Sequence, residues 1–408
     1  MFRSVMLLAC LAVGAALATP ARADDFVSYI AGNVRSPKVG RDANGYIYIA
    51  GTANSEGFRF PDRIPPCPAP PCRDEVPTRS YDVVVVKIDP ASGEILYRTY
   101  LSTSRDEWVS AMAVSPEGTV YIAGNSSSAD LPVTPNALFP RPSSGADGGF
   151  LPFSYLARID QNGAFDYVSY LGETFPWNIG SMVVTPTGEL LLTGGPSRQE
   201  DRLTSTAGAV DATPPEPSVF YMQPFIMKLN READEILFRA VGVGGLLALG
   251  PDGSIFVAGG AAFPQDYPTT PGAFQTTFTV SNCGNPFFAF SCGGQYVTKL
   301  NGDATSILYS TFITGEDRDG VGGLAVDDQG HAYLTGVTSS REYPVTEGAL
   351  QPESRSQIPL GFRGSVRAYN AYVTKVAPDG SSLVYSTYLG GIGGDTGTAI
   401  AVDIQGIA

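Results

Sequence analysis

Apolar positions in this chain fall in short runs of about five residues, either alternating with polar ones or unbroken, and each run stops at a glycine or an Asp/Asn-containing turn. Almost no stretch carries a helical period, so the pattern predicts strands throughout. Four kinds of strand recur in a fixed order. The first is small and apolar, at 109–114, 180–184, 245–249, 321–326 and 398–402. The second ends in glycine, at Gly51, Gly124, Gly194, Gly259 and Gly336. The third carries one cation near its end: Lys87, Arg158, Lys228, Lys299 or Lys375. The fourth is aromatic and alternating, at 95–100, 165–170, 236–240, 307–312 and 383–388.

The cations stand 71, 70, 71 and 76 residues apart, which fixes a repeat of about seventy residues. Five units are complete and a sixth has begun. The text stops at Ala408, inside the second strand of that sixth unit, so a truncated chain is expected. Strands one and two, and strands three and four, are joined by short turns such as Asp42 to Gly45, Asp160 to Gly163, Asn301-Gly302 and Asp327 to Gly330. The glycine supplies the positive φ that a tight hairpin or a bulge demands. Strands two and three are separated by roughly 28 to 34 residues, a length that is usually functional or locally ordered.

Antiparallel units at fixed pitch either string out as a solenoid or close radially. Residues 26–30 match a fourth strand, and Tyr29 precedes Tyr100 by one full period. A lone fourth strand at the front of the chain predicts a ring whose last blade it completes. Small residues in strand one fit the crowded axis of such a ring. The expected fold is therefore an all-β propeller of four-stranded antiparallel blades, five complete and a partial sixth, closed by the N-terminal strand. All the long connections are then expected on one face, around the mouth of a central channel.

The segments YSTYLGG, GTAIAVD, AYLTGVTSS and FPQDYPTTPGAFQ resemble the bacterial SBBP repeat, a family named for a seven-bladed β-propeller. The likeness is strongest at 308–351 and 385–403 and weakest in the third unit, where 198–210 lacks the proline. It implies an exported propeller and brings no assigned chemistry with it.

Forty-seven glycines, 32 prolines, 20 tyrosines and 21 phenylalanines agree with an all-β array. Arg3, the apolar run 5–17 and Ala21-Arg22-Ala23 read as a secretory signal cleaved after Ala23, which predicts a secreted, periplasmic or cell-surface protein with 24–408 as the folded domain. No later run reaches the ~20 apolar residues of a membrane helix. The formal net charge is −14, and losing Arg3 and Arg22 makes it two units more negative. Such a balance argues against nucleic acid or an anionic membrane surface as partner and reads as solubility outside the cell. The expected partner is an extracellular protein or polysaccharide, met by the loop-rich face of a monomer. Cys10 lies in the signal. The other cysteines form two close pairs, Cys67 with Cys72 and Cys283 with Cys292, which in an exported protein read as disulfides stapling long loops.

Candidate chemistry is sparse. Connections from strand four to the next strand one carry Asp106, Glu107, Glu173, Glu316, Asp317, Asp319 and Asp395. Paired carboxylates there suit acid–base work on a glycosidic bond, or Ca²⁺ binding. Recurrence of the acid seven residues after the closing aromatic, at Asp319 and Asp395, instead suggests turn capping. The strand-three cations are expected over a neighbouring aromatic ring or against a turn carboxylate. The aromatic residues Trp177, Tyr267, Phe287, Phe288, Phe290 and Tyr343 lie in or beside long loops, where flat rings either stack on a ligand or tuck the loops onto the blades. His331, the single histidine, follows a turn glycine and is expected on the hairpin face, away from the long loops. No nucleophile elbow, phosphate-binding loop or His-rich metal spacing occurs. A non-catalytic binding scaffold is the leading expectation, with a hydrolase or lyase using the carboxylates as the alternative.

Overall fold

The computed structural model describes residues 35–54, 81–142, 152–172, 176–196, 202–217, 221–279, 293–355, 357–359, 365–367, 369–403 and 405–408. The signal segment, the strand expected at 26–30 and both cysteine pairs lie outside them, as do Glu173, Phe287, Phe288 and Phe290.

Five four-stranded antiparallel sheets follow one another along the chain, each a simple meander. Blade I holds β1 (Arg35–Arg41), β2 (Ile47–Asn54), β3 (Tyr81–Ile88) and β4 (Ile95–Leu101). Blade II holds β5 (Glu107–Val114), β6 (Val120–Ser126), β7 (Phe153–Ile159) and β8 (Phe165–Leu171). Blade III holds β9 (Trp177–Val184), β10 (Leu190–Pro196), β11 (Phe225–Leu229) and β12 (Ile236–Val241). Blade IV holds β13 (Leu246–Leu249), β14 (Ile255–Ala261), β15 (Gly294–Leu300) and β16 (Ile307–Phe312). Blade V holds β17 (Asp319–Val326), β18 (Ala332–Thr338), β21 (Asn370–Val376) and β22 (Leu383–Leu389), with a small hairpin, β19 (Gln357–Pro359) and β20 (Ser365–Arg367), inside its long connection. Among the described residues the only helical element is one 3-10 turn, Pro264–Asp266.

Strand chemistry follows position in the sheet. The third strands are buried almost throughout, polar Asp82, Ser154, Gln295 and Thr298 included, because each strand is central and covered on two sides. What breaks the buried run near its end is the cation. A register shift beside it, between Lys87 and Ile88 and at the matching place in all five blades, is the bulge that the following turn requires. The residue at positive φ there is Gly163 or Gly380 in blades II and V but Ala233 and Ala304 in blades III and IV. In blade IV the Asn301-Gly302 signal therefore marks the turn without marking its strained position.

Two first-strand expectations need correction. β1 is a real strand, yet its sequence RSPKVGR has no apolar signature, since four of its residues are exposed, the other three are half-buried, and Lys38 to Arg41 are held by the ladder to β2. Residues 398–402 are not a strand. Gly397 donates its amide to the Gly336 carbonyl at 2.9 Å, and the Tyr333 hydroxyl donates to the Gly406 carbonyl at 2.8 Å, so the segment seats against blade V. It has no strand beside it among the described residues with which to build a ladder.

Cores lie between blades. Val83, Val85, Tyr97 and Leu101 of blade I pack with Val120, Ile122, Tyr155 and Ala157 of blade II. The same arrangement joins II to III, III to IV and IV to V. Each side chain of this size contributes on the order of 1.5–3 kcal/mol when fully buried. The first strand of each blade approaches the face of the one before it, as in a propeller. The five described sheets form a consecutive series, and no sheet closes upon itself.

The long connections are not confined to one end of the blades. In blades II to V a Thr-x-x-Ala turn runs down the outside of the fourth strand: Thr134 donates its amide to Val168, Thr206 to Arg239, Thr270 to Ser310 and Thr346 to Ser386. Five residues further on, the chain returns to accept from Tyr170, Phe312 or Tyr388 through the carbonyls of Phe139, Gln275 and Gln351. The outermost strand, which would otherwise offer unpaired amides to another chain, is thereby covered.

Candidate functional site

The face that receives the connections from strand four to strand one is built by one repeated device. In blade II, Glu107 begins the inner strand with its carboxylate wholly buried, accepting from the Thr103 amide at 3.2 Å, the Thr103 hydroxyl, and the Ser126 hydroxyl at 2.9 Å. In blade V, Asp319 holds the equivalent place and accepts from the Thr314 hydroxyl at 2.6 Å, the Gly315 amide at 2.8 Å and the Ser340 hydroxyl at 3.1 Å. Asp395 repeats the bond to the connection's third residue, accepting from the Gly391 amide at 2.8 Å. The carboxylate thus ties the four-to-one connection to the end of strand two. Glu107, not Asp106, is the residue in register with Asp319, since both lie seven positions past the closing aromatic.

Burial pushes the Glu107 carboxyl up to about 7, against the hydrogen bonds from Thr103 and Ser126 and with help from the nearby Asp82 charge. Asp319 is also raised by burial, opposed by Thr314 and its other donors. Asp106 is half-buried and accepts from the Tyr81 amide at 2.9 Å. Asp317 takes the Arg318 amide at 2.8 Å, and its own amide donates to Ser340. Glu316 accepts from the amides of Arg341 and Glu342 at 2.8 and 2.9 Å. These acids shape their own loops. The solvent side of the same face carries Ser104, Arg105, Arg318, Arg341 and Glu342.

The aromatic residues that the sequence offered as ligand-stacking rings are core residues where the structure describes them. Trp177 is fully buried, edge-on to Phe139 at 5.4 Å and Phe225 at 5.3 Å. Tyr267 stacks on Tyr296 with ring centroids 3.3 Å apart. Tyr343 accepts from the Gln295 side-chain amide at 2.9 Å and lies 4.7 Å from the Tyr372 ring. Tyr267 and Tyr343 have apolar counterparts in Leu131 and Leu203, all four buried. Each plugs its long loop between two blades, and the closing aromatic holds the plug: the Tyr170 hydroxyl accepts from the Leu131 amide, and Tyr388 from Tyr343, both at 3.0 Å. A ring so enclosed has no face left for a sugar or peptide.

The hairpin face is where the cations lie. Lys87 stands 4.6 Å from the centroid of Tyr46, Lys299 meets Asp252 at 3.2 Å and Phe256 at 5.2 Å, and Lys375 meets Asp327 at 3.2 Å and Tyr333 at 4.8 Å. Arg158 pairs with Asp166 at 2.9 Å and donates to the Arg231 carbonyl of the next blade. The expected ring-or-carboxylate pairing therefore holds, with the carboxylate drawn from the turn between strands one and two in blades IV and V. His331 shares this face, its Nδ1 2.9 Å from Asp327. Hydrogen bonds from the His331 amide, Lys375 and Tyr333 outweigh burial and hold Asp327 down at about 2.

Sequence reasoning missed one recurrent contact. The glycine ending strand two exists because a carbonyl of the bulged first strand fills the space of its side chain: Trp108 at Gly124, Asn178 at Gly194 and Gly320 at Gly336. The Tyr155 hydroxyl donates to the same Trp108 oxygen at 3.1 Å. The signal was visible as Gly opposite Tyr, but the bulge that joins them leaves no mark in composition. Among the described residues no three His, Cys, Asp or Glu side chains gather as a metal site, and no helix is long and apolar enough to cross a membrane.

Neither the family models nor the curated protein sequences compared with the chain match it. Similar solved structures include a protein of unknown function from Dyadobacter fermentans, at 11% identity over 90% of this chain and 85% of that one, with a TM-score of 0.41. The β-propeller domain of the trilobed protease from Pyrococcus furiosus is similar at 11% identity over 87% and 71%, with a TM-score of 0.36. A gluconolactonase from Xanthomonas campestris is similar at 11% identity over 92% and 90%, with a TM-score of 0.34.

Proposed function

We propose that this chain is an exported, non-catalytic propeller scaffold of the SBBP-repeat class that presents its four-to-one connections to a protein or polysaccharide at or beyond the cell surface. One observation carries the reading: at Glu107, Asp319 and Asp395, carboxylate oxygens bond amides and hydroxyls of their own connections, the work of loop anchors. What remains for a partner is the solvent-facing crest with Arg105, Arg318 and Arg341, whose planar guanidinium groups suit carboxylate and hydroxyl acceptors. Export fits the N-terminal signal pattern and the acidic charge. The alternative, a hydrolase or lyase, draws on the neutral-range Glu107 carboxyl, which is what a general acid needs.

A screen of glycans and extracellular proteins against the full chain, with two variant sets, separates the readings. The scaffold loses its ligand when Arg105, Arg318 and Arg341 become alanine, while Glu107→Gln with Asp319→Asn and Asp395→Asn lowers the melting temperature. Turnover of a polysaccharide or peptide that the carboxylate variants abolish at unchanged melting temperature would sink the scaffold and establish the enzyme.

A further inference from the structure

At the described junctions a hairpin turn of one blade sits on the outer half of the blade before it. The Gly163 turn of blade II lies over the ring of Tyr97, and the Gly380 turn of blade V over the ring of Tyr309, so close that a Cβ at either glycine would strike the ring. Ala233 packs in one core with Tyr167, and Ala304 in one core with Phe238. The covering segment of the earlier blade completes the seat. Val210 donates its amide to the Ala304 carbonyl at 2.8 Å, and Phe274 to the Gly380 carbonyl at 2.9 Å. In blade II the contact is made one step away, from the Asn136 side chain to Asp234 at 3.0 Å.

Blade V has every part of this seat, and no described segment covers it. Leu350, in register with Val210 and Phe274, is 81% exposed. Leu389 is 46% exposed, whereas its counterparts Leu101, Leu171 and Ile313 are at most 1% exposed. Tyr385 is half-buried, where Tyr97, Tyr167, Phe238 and Tyr309 are all buried. The inner half of the same blade is already occupied, through Gly397 and Gly406. Among the described residues nothing covers the outer half, where a hairpin joining a third and fourth strand would sit.

We propose that Leu350, Tyr385 and Leu389 form a docking site for a β-hairpin of this repeat class: an aromatic strand pair whose turn carries glycine or alanine at positive φ. The positive-φ residue lies on the Tyr385 ring and its carbonyl accepts from the Leu350 amide. A bulkier turn residue is excluded by the ring, which gives the site its selectivity. The site is separate from the four-to-one connections, so its failure leaves the scaffold reading intact.

The test uses the full chain and a backbone-cyclised peptide of residues 370–389, whose closure keeps the two strands paired. Calorimetric titration is expected to show saturable binding that Leu350→Asp and Leu389→Asp each weaken roughly tenfold or more, with melting temperatures unchanged because both side chains face solvent. The same peptide carrying Gly380→Val is expected not to bind. No saturable binding of the cyclised peptide, or equal binding by the wild type and both variants, overturns the proposal. So does concentration-dependent sedimentation of the wild type that Leu350→Asp abolishes, since the occupant is then a second copy of the chain.

Discussion

The Tyr372 hydroxyl of blade V donates to Oε1 of Gln295 in blade IV at 2.6 Å, and the amide end of the same Gln295 side chain reaches the Tyr343 hydroxyl. One wholly buried amide therefore joins two blades and the loop plug between them. Gln295→Leu keeps the volume and leaves the Tyr372 hydroxyl only the Gly320 carbonyl at 3.5 Å, which should cost about 1–3 kcal/mol in urea unfolding. Adding Tyr372→Phe is expected to recover part of that loss, because the poorly paired donor goes with it. Equal stability of the single variant and the wild type would show that the bond holds nothing.

Glu107 gives the fold a pH dependence of unusual sign. Its carboxyl is raised in the folded chain, from an ordinary value of 4.5 to about 7, so its neutral form is the one the fold accepts. Its contribution is fully present below about pH 4.5 and falls away as pH rises through 7, a swing on the order of 3 kcal/mol. Denaturation midpoints measured from pH 5 to 8 should fall in the wild type and stay level in Glu107→Gln.

Asp327 acts in the opposite direction. Held down at about 2 by the His331 amide, Lys375 and Tyr333 against the cost of burial, it stabilises the fold above the ordinary carboxylate value of 3.8. That stabilisation, about 2 kcal/mol, drains as pH drops from 3.8 towards 2. Asp327→Asn is expected to be less stable at neutral pH and to converge with the wild type in acid unfolding followed by circular dichroism.

Gly124 and Gly336 test the strand-two rule. Alanine at either position would run into the carbonyl of Trp108 or Gly320, and neither oxygen can move without breaking the bulge beside it. A loss of about 1–3 kcal/mol is expected from thermal melts, the range of an overpacked core. Alanine at Gly180, whose added methyl meets nothing nearby, serves as the control and should change little.

The blade and its period were legible because each strand type carries its own mark: small residues inside, a terminal glycine, a lone cation, alternating aromatics. The Lys87 and Lys375 contacts could be foreseen for the same reason, since a cation recurring beside rings has few places to go. β1 was not legible, because its half-exposed ladder needs no apolar side chains. Nor were the plugs. Tyr267 and Tyr343 resemble surface aromatics in a polar loop, and only their register with Leu131 and Leu203 shows that the position wants bulk, not a ring. Glu107 was noticed, but its equivalence to Asp319 was hidden by the neighbouring Asp106.

Because apolar cores sit in the gaps between blades, a sheet taken alone owns little interior of its own. Stability is then a property of adjacency. Among the described blades, loosening II, III or IV breaks two apolar cores at once, so these three should open together and not one by one. Hydrogen exchange in their central strands should accordingly be slow and of similar rate.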